Sequence, residues 1–408
     1  MISKDELKQV VLRDKYPLSV PRTKYIEKIS PWMNRKEIII IKGIRRCGKT
    51  HIMYQLIENL PKDNTFYVNF DDFRLDKSLS VELLQEILEL RNKSNRAYFF
   101  LDEIQRVNGF EKWLRTHYDR EINVKFIIGG SNISLLSPEM STVLTGRNIT
   151  FNVFPLSYSE FKSFSKDSFE GYMEFGGFPE IVLEQDNVKK RELLSQYVSD
   201  IIARDILDRY KVDNPHQLKS LITFFLANPG VRMSANKLAG QLGIHKDTAQ
   251  KYISYAIDSF LIFEVPYFSY SAKNKYVLSR ASKYYVTDNG MHTIVSIKMN
   301  LGRLYENAVA IRLKMQDKDI MYWLNGNEID FVYEKTALQV TSSDKILNRE
   351  IEAFKSFEEK HKNFAKILVG PFDRGQEEDI QIVPIEKFLI SDTSANQHSS
   401  LVFHLLAF

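Results

Sequence analysis

One cysteine, Cys47, is the whole thiol inventory of this 408-residue chain. An intrachain disulfide is therefore excluded, and a reducing compartment is expected. The eight histidines do not cluster with it, so no zinc pattern is legible. No apolar run approaches the roughly 20 residues that cross a bilayer. The opening MISKDELKQVVLRDKYPL is charged throughout and lacks the apolar centre of a secretory signal. Repeats, long low-complexity segments and a nucleophile triad are also missing. What remains is an ordinary globular composition, 44% hydrophobic and 26% charged. The length asks for two or three domains. A net charge of +4 is too small to name a partner, which must be read from where charge sits. The expectation is a soluble, cytoplasmic protein without a membrane partner.

Against that background one stretch stands out. Gly43-Ile44-Arg45-Arg46-Cys47-Gly48-Lys49-Thr50 matches G-x-x-x-x-G-K-[ST] without a mismatch, and His51 follows it. Glycines let backbone N–H groups turn in around phosphates, the lysine reaches the β- and γ-phosphates, and the hydroxyl of Thr50 serves Mg²⁺. The apolar run Glu37–Lys42 predicts a buried strand before it. The spacing of Ile52, Met53, Leu56, Ile57 and Leu60 predicts a helix over Thr50–Leu60, closed by Pro61. That helix would point its N-terminus at the anion.

About fifty residues on, the strand-like run from Arg96 ends in Asp102-Glu103, a Walker B pattern. Asp102 would orient the metal and Glu103 would position or deprotonate the attacking water. A third strand, from Val124, ends at Ser131-Asn132. Asn132 or Ser131 would sense the γ-phosphate, or alternatively cap a helix over Ile133–Leu136. Arg147, just before a strand at Asn148–Val153, is either an arginine finger, in cis or from a neighbour, or a solvated loop residue.

GIRRCGKT, YVNFDD (67–72), FFLDEIQ (99–105), IIGGSN (127–132), LTGR (144–147) and FPLSYSEF (154–161) resemble, in order, a prokaryotic family of AAA-type P-loop ATPases similar to archaeal ATPases. Ile44 and Cys47 stand where that family usually has Pro and Val; Cys47 reads as a small buried filler, though a thiol beside phosphates could also meet oxidants. The resemblance implies ATP rather than GTP. It also implies a companion domain, matched by FGGFPEIVL (175–183), SDIIARDIL (199–207), YYVTDNG (284–290) and GRLYENAVAIRL (302–313).

Inside the companion region a helix-turn-helix is legible. Ser234 caps a helix to Leu242, Gly243-Ile244 turns, and His245–Phe260 forms a second helix. Leu261–Phe268 and Lys275–Leu278 are candidate wing strands. His245, Lys246, Thr248, Gln250 and Lys251 would face outward, able to meet phosphates and base edges of double-stranded DNA. From Arg232 to Lys283 eight Lys/Arg oppose three Asp/Glu, a local excess that suits nucleic acid; packing between domains or protomers is the alternative. Farther on, Glu306 on a helix, Asp330 on a strand and the following strand resemble a PD-(D/E)XK nuclease core. There, Gln339 and Thr341 replace the expected Glu and Lys, so loss of cleavage is expected. The tail is polar over 391–400 and apolar over 401–408, and would dock on the protein's own surface or on a partner.

The expected fold class is α/β: a P-loop NTPase (AAA-type) domain over 20–165 after an N-terminal extension, 1–19. A helical connection (166–230), a winged-helix segment (231–283), a degenerate nuclease-like α/β domain (284–390) and the tail (391–408) follow. The expected ligands are ATP and Mg²⁺, with slow hydrolysis driving a switch on DNA; a signalling or assembly ATPase that binds protein or its own copies is the alternative, and an ATP-regulated nuclease is a third reading that Gln339 and Thr341 argue against.

Overall fold

The computed structural model describes residues 4–11, 16–17, 19–120, 122–131, 143–269, 281–296, 299–373 and 375–391. Its first sheet holds β1 (Ile38–Gly43), β2 (Thr65–Asn69), β3 (Ala97–Asp102), β4 (Val124–Gly130) and β5 (Asn148–Val153). All run parallel, in the order β2-β3-β4-β1-β5. Parallel strands are buried on both faces, which is why β1 and β3 read as unbroken apolar runs rather than alternating ones. Chain order then brings the carboxyl ends of β1, β3 and β4 side by side, where open α/β sheets hold ligands. The helix after β1 runs Lys49–Ile57, shorter than the expected Thr50–Leu60.

Each face of this sheet has its own core. On one, Phe99, Phe126 and Ile128 pack with the helices Val81–Leu88 and Phe110–Asp119. Leu7, Val10 and Val11 join them, so the N-terminal extension contributes a packed helix, Lys4–Val11. On the other face, Ile39, Ile41 and Phe100 share a core with Ile181, Leu194, Tyr197, Leu221 and Phe225. Those last five lie in the expected connection over 166–230, which is therefore no linker. Phe169, Tyr172 and Met173, from the same stretch, enter the C-terminal core instead.

Strands β6 (Val231–Met233), β7 (Ile262–Val265) and β8 (Ser282–Val286) form a small antiparallel sheet, ordered β6-β8-β7. It flanks the helices Ala235–Leu242 and Lys246–Asp258. Ser234 accepts the Lys237 N–H as the expected cap, and Gly243 makes the turn at φ 63°, a left-handed conformation that glycine adopts without strain. The candidate wing strand Lys275–Leu278 lies outside the described residues. The boundary expected between 283 and 284 falls inside β8.

The last sheet contains β9 (Met321–Asn325), β10 (Asn327–Tyr333), β11 (Thr336–Val340), β12 (Ala365–Gly370), β13 (Gly375–Glu377) and β14 (Ile380–Pro384), ordered β13-β14-β12-β11-β10-β9. β9, β10 and β11 form an antiparallel meander. The helix Asn348–Lys360 then returns the chain so that β12 lies parallel to β11. The helix Leu301–Met315, carrying Glu306, packs on this sheet. Beyond Ser391 the tail lies outside the described residues.

Candidate active site

The phosphate-loop sequence connects β1 to its helix at the carboxyl edge of the first sheet. Gly43 is required by close approach: a Cβ there would collide with the Val153 carbonyl. Gly48, at φ 99°, and Arg46, at φ 68°, turn the loop back on itself. Lys49 Nζ donates to the carbonyls of Gly43 and Ile44, each at 3.0 Å. The hydroxyl of Thr50 donates to Asp102 Oδ2 at 2.6 Å, and Tyr67 donates to the same oxygen at 3.1 Å. Asp102 Oδ1 is buried without a hydrogen-bond partner. A buried carboxylate oxygen left over beside a threonine hydroxyl fits a hard divalent cation, which takes oxygen ligands.

Glu103 follows β3 in a left-handed conformation, φ 53°, with its N–H on the Gly129 carbonyl at 2.7 Å. Gln105 donates to its carboxylate. Burial raises its pKa, against the opposing pull of Lys49. These groups border a cleft of about 710 Å³, to which Ser19, Leu183 and Arg204 also contribute. That volume suits a nucleotide-sized ligand.

The other expected loop residues take different directions. Ile44 and Cys47 are fully buried; the thiol lies 3.4 Å from the Val153 carbonyl, and burial raises its pKa, as a filler requires. His51 is exposed at the cleft, edge-on to Tyr54. Arg45 and Arg46 turn toward the companion region: Arg45 pairs with Asp205 at 2.9 Å, and Arg46 with Glu180 at 3.2 Å and Asp200 at 3.5 Å. Ser131 is buried at the end of β4 with its hydroxyl 3.3 Å from Asp205. Asn132 lies outside the described residues.

Arg147 requires a correction. Its carbonyl accepts the N–H of Ile38, and its guanidinium pairs with Asp119 at 2.9 Å. Ile38 begins β1, whereas the loop leaves the other end of that strand. At about 3.3 Å per residue the two ends are roughly 20 Å apart. Arg147 therefore cannot complete its own chain's site.

Arg22 was missed by sequence reasoning. It is 2% exposed. It donates to the Cys47 carbonyl at 2.9 Å and the Phe154 carbonyl at 3.1 Å, and pairs with Glu160 at 2.8 Å. It thereby ties the phosphate loop to the FPLSYSEF exit. Nothing local in SVPRTKY signals this role, because its partners lie 25 to 138 residues away.

In the companion region His245, Lys246 and Lys251 are exposed, and Thr248 and Gln250 half-buried. Lys283, counted in the basic segment, is buried and serves another purpose. Its ammonium meets Glu306 at 2.8 Å and Asp330 at 3.0 Å, and also contacts Glu328. Tyr285 donates to Glu306 at 2.6 Å. Gln339 accepts the Asp330 N–H at 3.1 Å, and Asp330 accepts the Val340 N–H at 3.0 Å. Thr341 is buried, with its hydroxyl accepting the Ser343 N–H at 3.2 Å. Glu306 and Asp330 thus come together around the chain's own Lys283, with Gln339 on the backbone of Asp330. Among the described residues no helix is long and apolar enough to cross a membrane.

Residues 35–162 match an AAA domain, and residues 166–300 match a domain of unknown function (DUF8612). Two solved structures overlap in part: a DNA polymerase III gamma-subunit-related protein from Thermotoga maritima (11% identity, 57% of this chain and 98% of that one, TM-score 0.29) and Drosophila ORC bound to AT-rich DNA and Cdc6 (11%, 67% and 89%, TM-score 0.23). At such scores neither bears on function. An uncharacterized Haemophilus influenzae protein is 28% identical over 409 residues, covering 91% of this chain and 98% of its own length. The uncharacterized protein MJ1544 of Methanocaldococcus jannaschii is 30% identical over 393 residues, covering 89% of this chain and 87% of its own. The chain therefore belongs to the family of MJ1544, and its residues 35–162 form an AAA domain of the P-loop ATPase type.

Proposed function

We propose that the chain binds ATP with Mg²⁺ and hydrolyses it slowly, as a nucleotide-driven switch. The observation that carries this is the meeting of Lys49, Thr50, Asp102 and Glu103 at one sheet edge, with Asp102 Oδ1 buried and unpartnered. Thr50 and Asp102 would hold the metal, which when bound would neutralise charge on the phosphates. Lys49 would exchange the two loop carbonyls for phosphate oxygens. Glu103, its basicity raised by burial, would accept the proton of the attacking water. Asn132 and, from a neighbouring copy, Arg147 remain candidates for the γ-phosphate.

We read β6–β8 and their two helices as a winged helix, and the order helix, β9, β10, β11, helix, β12 as a nuclease-like fold without cleavage. In place of a metal and a catalytic lysine the acids hold Lys283, and Gln339 and Thr341 lack the required charges. Double-stranded DNA on His245, Lys246, Thr248, Gln250 and Lys251 is the first partner reading. A protein partner or a second copy is the other. It gains from the burial of Lys283, which takes one of the eight basic residues of that segment out of reach of a ligand.

The test is steady-state ATP turnover with and without duplex DNA, beside Lys49→Ala and Glu103→Gln. Turnover in the wild type, lost by about 10²-fold or more in Glu103→Gln while nucleotide still binds, is the expected result. Stimulation by DNA that fades between about 50 and 200 mM salt supports the DNA reading, and indifference to DNA favours the protein partner. A wild type that binds no ATP overturns the proposal.

A further inference from the structure

Asp205 sits in the π-helical turn Ile201–Leu207, which continues the helix Asn187–Asp200. The wide turn is visible in the Asp208 N–H bonding to the Ala203 carbonyl, five residues back. Such turns cost regular hydrogen bonding and recur at functional sites. This one places two neighbouring residues on the nucleotide site: Arg204 at the cleft and Asp205 behind the loop.

Asp205 is 3% exposed. Its two oxygens grip Arg45 as a fork, Nη2 at 2.9 Å and Nε at 3.3 Å. The same Oδ1 accepts the hydroxyl of Ser131 at 3.3 Å. One carboxylate from the companion region therefore holds both the phosphate loop and the end of β4. These are the two segments that would bracket the terminal phosphate and the water attacking it. Bidentate Arg–carboxylate pairs fix geometry as well as charge. A shift of about 1 Å in groups that place a reacting atom can cost roughly 10² in rate. Glu180 and Asp200 make looser, more exposed contacts to Arg46 beside it.

We propose that Asp205 is a positioning residue of the nucleotide site, holding Arg45 and Ser131 in register and linking that register to the companion helix. This rests on the ATPase reading above. It predicts a loss in turnover more than in nucleotide binding, because Asp205 holds Arg45 and Ser131, on the two segments that would bracket the terminal phosphate and the attacking water.

The experiment compares wild type, Asp205→Ala, Asp205→Asn, Arg45→Ala and the Arg45→Ala/Asp205→Ala double variant for ATP turnover and for binding of a fluorescent ATP analogue. Lys49→Ala serves as the non-binding control. Asp205→Ala and Arg45→Ala should each lose about tenfold or more in kcat with less than about threefold change in KM. The double variant should be no worse than Asp205→Ala, since Arg45→Ala removes a contact that Asp205→Ala has already removed. Asp205→Asn, which keeps an acceptor oxygen for Arg45, should recover part of the loss and stands in if the alanine variant fails to fold. Unchanged turnover in Asp205→Ala and Asp205→Asn, or strictly additive losses, would overturn the assignment alone. A wild type indistinguishable from Lys49→Ala in binding overturns the ATPase reading and this assignment with it.

Discussion

At the scale of single residues, the site depends on side chains whose partners are far away in sequence. Arg22 is one. Burial works against its charge, but Glu160 and two backbone carbonyls hold it. Burial works to raise the Glu160 carboxyl, but Arg22 together with the N–H and hydroxyl of Ser157 holds it below the usual carboxylate range. Arg22→Met leaves a buried carboxylate without its cation. We expect a loss of about 3–5 kcal/mol in urea unfolding. Arg22→Met/Glu160→Met should recover much of it, since removing both partners leaves no orphaned charge. Gly43 gives a second expectation: Gly43→Ala forces β1 away from Val153 and should abolish binding of an ATP analogue, measured by its fluorescence. The loop was legible because its chemistry is local. Arg22 was not, because a lone arginine beside Pro21 carries no periodic or motif signal.

At the scale of elements, β8 links two units. Its backbone pairs with β6 and β7, while Lys283 reaches across to the acids on β10 and on the helix Leu301–Met315. Burial works against the Lys283 ammonium, yet Glu306, Tyr285, Asp330 and Glu328 raise its pKa well above the ordinary lysine value. Burial, with Glu306 nearby, pushes Asp330 up to about 7. Its unfolded value is near 3.8. Between those values the folded chain binds the proton more tightly, so Asp330 adds stability in acid that is lost as pH rises toward 7. Melting temperatures of wild type minus Asp330→Asn should accordingly fall from pH 4 to 7; a flat difference would refute this. Lys283→Met should lower stability by about 3–5 kcal/mol in urea. The strand bearing Asp330 and the strand after it were legible in the sequence. The direction of Lys283 was not, because an alternating strand shows which residues share a face and not what lies opposite. Arg147 as a finger within its own chain failed for a related reason. Motif order along a chain does not say which end of a strand a residue occupies, and parallel strands put the two ends on opposite edges.

At the scale of the whole molecule, the cores do not follow the order of the chain. Residues 169–173 pack into the C-terminal core, while 181–226 return to cover the first sheet. Composition could not show this, since a helix with a buried stripe looks the same whichever sheet it covers. The conspicuous motifs lie before residue 165, and reading domain ends from them placed a connection where packing places the cover of a sheet.

That shared core has a consequence for how the protein is made. The face of the first sheet bearing Ile39, Ile41 and Phe100 lies in one core with Tyr197, Leu221, Phe225 and Ile262. A growing chain that has emerged only to residue 165 would show part of that apolar surface to the cell. About a hundred further residues must appear before the cover is complete, on the order of ten seconds of synthesis. A fragment ending at residue 165 should bind a hydrophobic dye and sediment, while the full chain stays monodisperse under the same conditions. The nascent ATPase unit would then be a natural client for whatever shields apolar surface near the ribosome.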